Sequence, residues 1–276
     1  MTAAPFRVTL WGVRGSLPVS GAMAGEFGGQ TICIEMRCGD QVLIFDAGSG
    51  LAPAGAALAA EGCARITLML THAHYDHVIG LPFFTPFWNP AVRIDLWSGH
   101  LAGRMSTAEI VDDFLRQPFF PVGRDCFNAQ VAMRDFTPGD VLEPAPGLVI
   151  RSAALNHPGG AVGYRVEWAG RVAAVVTDIE HVTGQQDPAV LALASGADLL
   201  LYDAAYEDSE LEKLHGFGHS TWQEAIRVAE AAGAARLGLI HHAPWRAPAE
   251  LARIEAAAMD RFAGAFCGRD GMVIDL

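Results

Sequence analysis

Positive charge is the scarcest component of this chain. Of its 276 residues only 19 are Lys or Arg, and a single one (Lys213) is lysine, against 31 Asp or Glu, so the formal net charge is −12. Binding long nucleic acid requires clustered Lys and Arg that displace counterions, and the arginines here are scattered singly, which excludes that partner class. Long apolar runs are also missing. Residues 48–60 carry Gly and Pro before Glu61, and residues 189–206 contain Asp198 and Asp203. Neither stretch supplies the roughly 18 to 20 clean apolar residues of a spanning helix. The first seven residues lack the charged, apolar and small-residue order of a signal peptide. A soluble cytoplasmic protein, without membrane contact, is therefore expected. The five cysteines (Cys33, Cys38, Cys63, Cys126, Cys267) are odd in number and form no CxxC, which predicts reduced thiols rather than disulfides or a thiolate metal site. No linker, charge block or short repeat divides the chain, so residues 1–276 are read as one domain.

What the sequence does have is apolar substance. Hydrophobic residues make up 51% and charged ones 18%, enough for a sizeable core and incompatible with extensive disorder. Short β-branched runs recur at 6–10, 41–45, 66–70, 148–150, 171–176, 199–202 and 237–240, the length of strands buried on both faces. Helical patterns lie at 51–60, ending at Gly62, and at 249–262. A third, at 220–232, opens with a possible capping box of Ser220 and Gln223 and stops at Gly233. Strands packed on themselves with helices outside indicate a layered α/β domain. Residues 85–146, with seven prolines, read as an insert or wall.

The ten histidines carry the chemistry. Thr71-His-Ala-His-Tyr-Asp-His77 directly follows the run 66–70, placing four potential ligands in the loop leaving a buried strand. His72 and His74 can close on one cation while Asp76 and His77 turn toward a second. Imidazole nitrogen and carboxylate oxygen suit zinc, and hydrolysis needs a coordination position left open for water. His157, Asp178 and His241 repeat the placement, each at the exit of an apolar run. Together these residues supply what two closely spaced metals require.

The HxHxDH signature, followed by a lone His, an Asp and a final His, resembles the metallo-β-lactamase superfamily of metal-dependent hydrolases over nearly the whole chain. The resemblance implies a four-layer αββα sandwich, two packed mixed sheets with helices outside. It implies two divalent ions, zinc foremost with manganese or iron as alternatives. His72, His74 and His157 would hold one, Asp76, His77 and His241 the other, and Asp178 would bridge. Asp46 would be the supporting carboxylate. Gly218-His-Ser-Thr221 resembles the histidine motif of the ribonuclease Z and cyclic-phosphodiesterase branch, with His219 lying 241 − 219 = 22 residues before the last ligand. His219 and Asp76 are the residues expected to act in catalysis. The long arm by which ribonuclease Z grips tRNA has no room in the interval 178 − 157 = 21, and Asn156-His-Pro-Gly-Gly160 resembles the phosphoribosyl cyclic phosphodiesterase type. The expected activity is hydrolysis of a small, cyclic phosphodiester or nucleotide by metal-activated water. Carboxyl-ester or lactone hydrolysis at the same metals, tRNA 3′-processing, and a non-enzymatic nucleotide sensor are the alternatives. A homodimer is implied by resemblance alone. Related sequences often carry Asp where this one has Ala243, and no Cys/His cluster for a third metal is present.

Other residues divide between roles. His241 rather than His242 is expected at the metal, because neighbours in a strand point to opposite faces. His181 lines the cleft or caps a turn. Asp203 is a turn residue or orients His219. His100 and His215 are expected at the surface. Phe83, Phe84, Phe87 and Trp88 are expected in the core, with a pocket wall as the other reading. Arg14 is a candidate contact to substrate phosphate.

Overall fold

The computed structural model describes residues 5–276. Seven strands build the first sheet: β1 (Phe6–Gly12), β2 (Cys33–Cys38), β3 (Gln41–Phe45), β4 (Arg65–Met69), β5 (Arg93–Ser98), β6 (Gln130–Asp135) and β14 (Met272–Asp275), in the order β14-β1-β2-β3-β4-β5-β6. The second contains β7 (Val141–Ala145), β8 (Leu148–Leu155), β9 (Ala161–Trp168), β10 (Arg171–Val176), β11 (Leu199–Asp203), β12 (Leu237–Ile240) and β13 (Ala265–Cys267), in the order β13-β12-β11-β10-β9-β8-β7. Each sheet has one parallel half and one antiparallel half. In the first, β3 to β6 are parallel and β3, β2, β1 and β14 alternate. In the second, β10 to β13 are parallel and β10, β9, β8 and β7 alternate.

Alternation along single strands sets the layers. Leu43 and Phe45 of β3 turn inward to Tyr164, Val175 and Leu201 of the other sheet, forming the central core. Val42 and Ile44 of the same strand turn outward onto Leu51, Ala54 and Leu58 of α1 (Leu51–Glu61). In the second sheet Val175 and Leu201 point inward, whereas Val176 and Leu200 pack against α4 (Pro188–Ala194), α5 (Trp222–Ala232) and α6 (Pro248–Arg261). A residue period of two with both faces apolar thus produces helix, sheet, sheet, helix, the expected αββα sandwich. A short helix α2 (Tyr75–Val78) follows β4, and α3 (Thr107–Phe114) lies between β5 and β6.

Helix ends follow the expected glycines. Gly62 and Gly233 cap α1 and α5 at φ 71° and 66°, in the left-handed region that glycine enters without steric cost. The start of α5 is different from the expectation. Its N-cap is Thr221, whose hydroxyl accepts the Glu224 N–H at 3.0 Å, not Ser220 with Gln223. The Ser220 hydroxyl is engaged with His181 Nδ1 at 2.8 Å. Residues 85–146 are also no insert: they contribute β5 and β6 to one sheet and β7 to the edge of the other. Their prolines lie mostly in the connections, and the strands β6 and β7 are half-exposed edges, which lack the apolar runs of central strands. Among the described residues no helix is long and apolar enough to cross a membrane, and all five cysteines are unpaired.

Candidate metal centre

The parallel halves of both sheets deliver their carboxyl ends to one edge of the sandwich, where ligands of open α/β sheets collect. Asp46 leaves β3, the His72–His77 loop leaves β4, Asp178 leaves β10 and His241 leaves β12. His157 leaves β8, which runs in the direction of β10 because both are antiparallel to β9. Seven side chains meet there. Ligand atoms of His72, His74 and His157 lie within 4.8 Å of one another, as do those of Asp76, His77 and His241. Asp178 sits between the two groups: its oxygens are 3.1 Å from His77 Nε2, 3.3 Å from His241 Nε2, 3.7 Å from His72 Nε2 and 4.0 Å from His157 Nε2. This is the placement that a bridging carboxylate requires.

Buried hydrogen-bonding groups are rarely left without partners, yet Nε2 of His72 and of His77 are buried and make no hydrogen bond. Both are turned toward Asp178. A cluster of five imidazoles and two carboxylates with unpartnered nitrogens aimed inward fits a pair of borderline-soft divalent cations. The outer nitrogens of His77 and His157 are held as such a site needs, while Nδ1 of His241 is buried without a partner. Asp46 Oδ2 lies 2.8 Å from His77 Nδ1, and the same carboxylate accepts the Thr71 N–H at 2.7 Å and its hydroxyl at 2.8 Å. His157 Nδ1 donates to the Gly218 carbonyl at 2.8 Å, and Ser16 N–H donates to Asp76 Oδ2 at 2.6 Å.

The carboxylates dominate the electrostatics. Burial pulls the His77 and His241 rings toward neutrality, but Asp178 and Asp76 beside them prevail. His77 is held well above the usual imidazole value and His241 is raised to about 9. Conversely, burial opposes ionisation of Asp178, and the surrounding His241, His77 and His72 nevertheless hold it well below the carboxylate range. His72 and His157, with burial as the largest influence, are lowered and are neutral donors at neutral pH. The site is therefore a well for positive charge, filled in the metal-free protein by protons on His77 and His241, with His72 and His157 neutral beside them.

Of the five non-glycine residues with positive φ among the described residues, four sit here: Ser16, Asp46, Asp178 and His241, at 63°, 62°, 58° and 61°. Such conformations cost about 1–3 kcal/mol each and persist where the surroundings impose them. At His241 this turn sends the ring inward, and its neighbour His242 goes the other way, Nε2 facing the Gly268 carbonyl at 3.1 Å.

His219 borders the cluster. Its ring stacks on His241 with centroids 4.6 Å apart, and its Nδ1 faces Asp203 Oδ2 at 3.1 Å and Asp178 Oδ1 at 3.7 Å. Asp203 is thus no plain turn residue. An open cleft of about 510 Å³ is bounded by Ser16, His74, Tyr75, Asp76, Asp178 and His219. The sequence reading passed over Ser16 and Tyr75. It also passed over Tyr206, whose ring stands edge-on to His219 at 5.6 Å and stacks with half-exposed Trp245.

Several expectations are corrected. Arg14 is fully buried and donates to the carbonyls of Gly28, Met23 and Arg246, so it braces loops and is closed to substrate. His100 is buried, not at the surface; it leaves β5 beneath His72 and meets the Ser98 hydroxyl at 3.0 Å. His215 is exposed as expected. Phe84 and Phe87 are core, but Phe83 is 61% exposed and Trp88 41%. His181 lies outside the cleft, against Ser220.

The sequence profile of the beta-lactamase superfamily domain matches residues 42–242. A ribonuclease Z of Mycobacterium marinum is 28% identical over 230 residues, covering 76% of this chain and 78% of its own. Among solved structures, zinc-bound PqqB of Methylobacterium extorquens aligns with a TM-score of 0.76 at 18% identity, covering 98% of this chain and 100% of its own. A diphosphatase of the PhnP family aligns at 0.72 and 18% identity, with coverages of 99% and 97%. Spanning both sheets and including all seven clustered donors, the profile match shows that this chain belongs to the beta-lactamase superfamily.

Proposed function

We propose that the chain is a metal-dependent hydrolase that cleaves small phosphodiesters at a pair of divalent cations, zinc foremost. His72, His74 and His157 would hold one, Asp76, His77 and His241 the other, with Asp178 available to both. Bound there, such a pair would supply Lewis acidity, letting water lose a proton near neutral pH and offsetting charge on the phosphoryl oxygens. Two divalent ions carry +4, and Asp76 and Asp178 reduce this to +2, which attracts a phosphodiester despite the acidic surface.

The observation that carries the reading is the Asp203–His219 pair beside this donor set. Asp203 is fixed by the N–H groups of Ile179 at 3.3 Å and Ala205 at 3.1 Å. Its carboxylate takes Nδ1 of His219, so the ring's other nitrogen serves the cleft. From there it donates a proton to the departing alkoxide. The Ser16 N–H keeps Asp76 from swinging into the cleft.

The named ribonuclease Z relatives favour tRNA 3′-processing as a second reading. Against it, the interval from His157 to Asp178 is filled by the β9–β10 hairpin. That hairpin closes through the two-residue turn Ala169-Gly170, both at positive φ, with no protruding segment to grip RNA. Elemental analysis, together with assays on bis-p-nitrophenyl phosphate, 2′,3′- and 3′,5′-cyclic nucleotides, phosphoribosyl cyclic phosphate, homoserine lactones and a tRNA precursor, tests the reading. Two metals per chain with fastest turnover of a small phosphodiester is the expected result. Faster lactone opening or precursor cleavage overturns it.

A further inference from the structure

A second cavity of about 280 Å³ lies behind the His219 segment, separate from the metal cleft. Its walls are the immediate chain neighbours of three site residues. Asn156 precedes His157, Ile179 follows Asp178, and His181 reaches Ser220, next to His219, through a 2.8 Å hydrogen bond. Two polar side chains in its lining are almost wholly buried: His181, 5% exposed, and Glu224, 6%. Nε2 of His181 makes no hydrogen bond among the described residues and stands 3.9 Å from Glu224 Oε2. That same Oε2 accepts from Arg227 Nε, while Oε1 makes no hydrogen bond among the described residues.

The character of the lining selects the ligand. Three carboxylates contribute (Glu180, Asp187 and Glu224); Arg227 meets Glu224 from outside the lining, and no lysine or arginine lines the cavity itself, so the lining favours an N–H donor over the anionic substrate class of the metal cleft. Ile179, Val190, Val228 and the Tyr202 ring supply apolar surface beside the amides of Asn156, Gln185 and Gln186. The volume is near the lower end for small-molecule sites, matching one or two rings.

We infer that this cavity is a second binding site, for a small aromatic molecule bearing an amidine or aminopurine N–H edge that pairs with Glu224 and His181. A carboxylate accepting two N–H groups is a strong, directional contact, and the nearby imidazole offers the remaining hydrogen bond. The inference does not depend on the reaction catalysed at the metals.

Benzamidine, titrated by calorimetry into the metal-loaded protein and into chelator-treated protein, tests it. Saturable binding of similar affinity in both states is expected. Glu224→Gln should weaken it about tenfold or more, the loss of one charge-assisted contact. Val182→Trp, at a cavity-lining position that is 54% exposed and so tolerant of a larger side chain, should block it with the fold intact by circular dichroism. Absence of saturable binding overturns the inference. So does binding that disappears on chelation, which places benzamidine at the metals, or binding indifferent to Val182→Trp.

Discussion

Asp203 Oδ2 lies 3.1 Å from His219 Nδ1, and both carboxylate oxygens of Asp203 are already engaged by backbone N–H groups. The ring is therefore held from behind by a group that cannot itself drift. His219→Ala should lower kcat by about 10²–10⁴, the usual worth of a positioned proton donor, with metal content unchanged and partial rescue by added imidazole. Asp203→Asn should lower kcat with KM little changed, and Asp203→Glu should recover part of it. Undiminished turnover in His219→Ala refutes the assignment.

Asp46 is fully buried and grips both His77 and Thr71. Asp46→Asn should weaken metal binding by about 10–100-fold, the range for outer partners of ligating histidines. Competition with a chromophoric chelator measures this directly.

Gly15 is packed flat against the His241 ring, where a Cβ would overlap Cε1 and Nδ1. Gly15→Ala should push that ring out of line and reduce bound metal from two ions per chain toward one, as read by elemental analysis. Far-UV circular dichroism should stay unchanged, because the residue lies in a loop outside both sheets.

The donor set was readable because the ligands follow apolar runs in fixed order: a strand exit can be recognised without knowing the sheet. Central strands such as β10 and β12 stood out for the same reason, being apolar on both faces. Edge strands β6 and β7 did not, since half-exposed strands carry no such run. Arg14 illustrates the harder case. A charged residue in a glycine-rich turn looks like a phosphate contact, and only the folded loops reveal three carbonyls waiting for its guanidinium. Likewise, Ser220 and Thr221 are equivalent caps on paper; His181, from a distant loop, claims Ser220.

Protons and cations compete for this centre, which sets the pH response of metal-free protein. Burial lowers His242 from 6.5 to about 3. The unfolded chain takes that proton first, so this stability is whole above about pH 6.5 and lost as pH falls toward 3. His241, raised from 6.5 to about 9 by its carboxylate neighbours, behaves oppositely: its contribution is whole below 6.5 and lost as pH rises through 9. Urea midpoints of the chelated protein should therefore peak near pH 6.5. Zinc should abolish the alkaline decline, and His242→Gln should flatten the acid limb.

Four donors come from the loop after β4, and three from strands of the other sheet. A cation held by either proposed trio would have partners on both halves of the sandwich and would act as a rivet through it. A fragment ending before residue 148 lacks His157, Asp178 and His241 altogether. With metal bound, assembly of the reaction centre and the clamping of one half of the molecule on the other would be a single event.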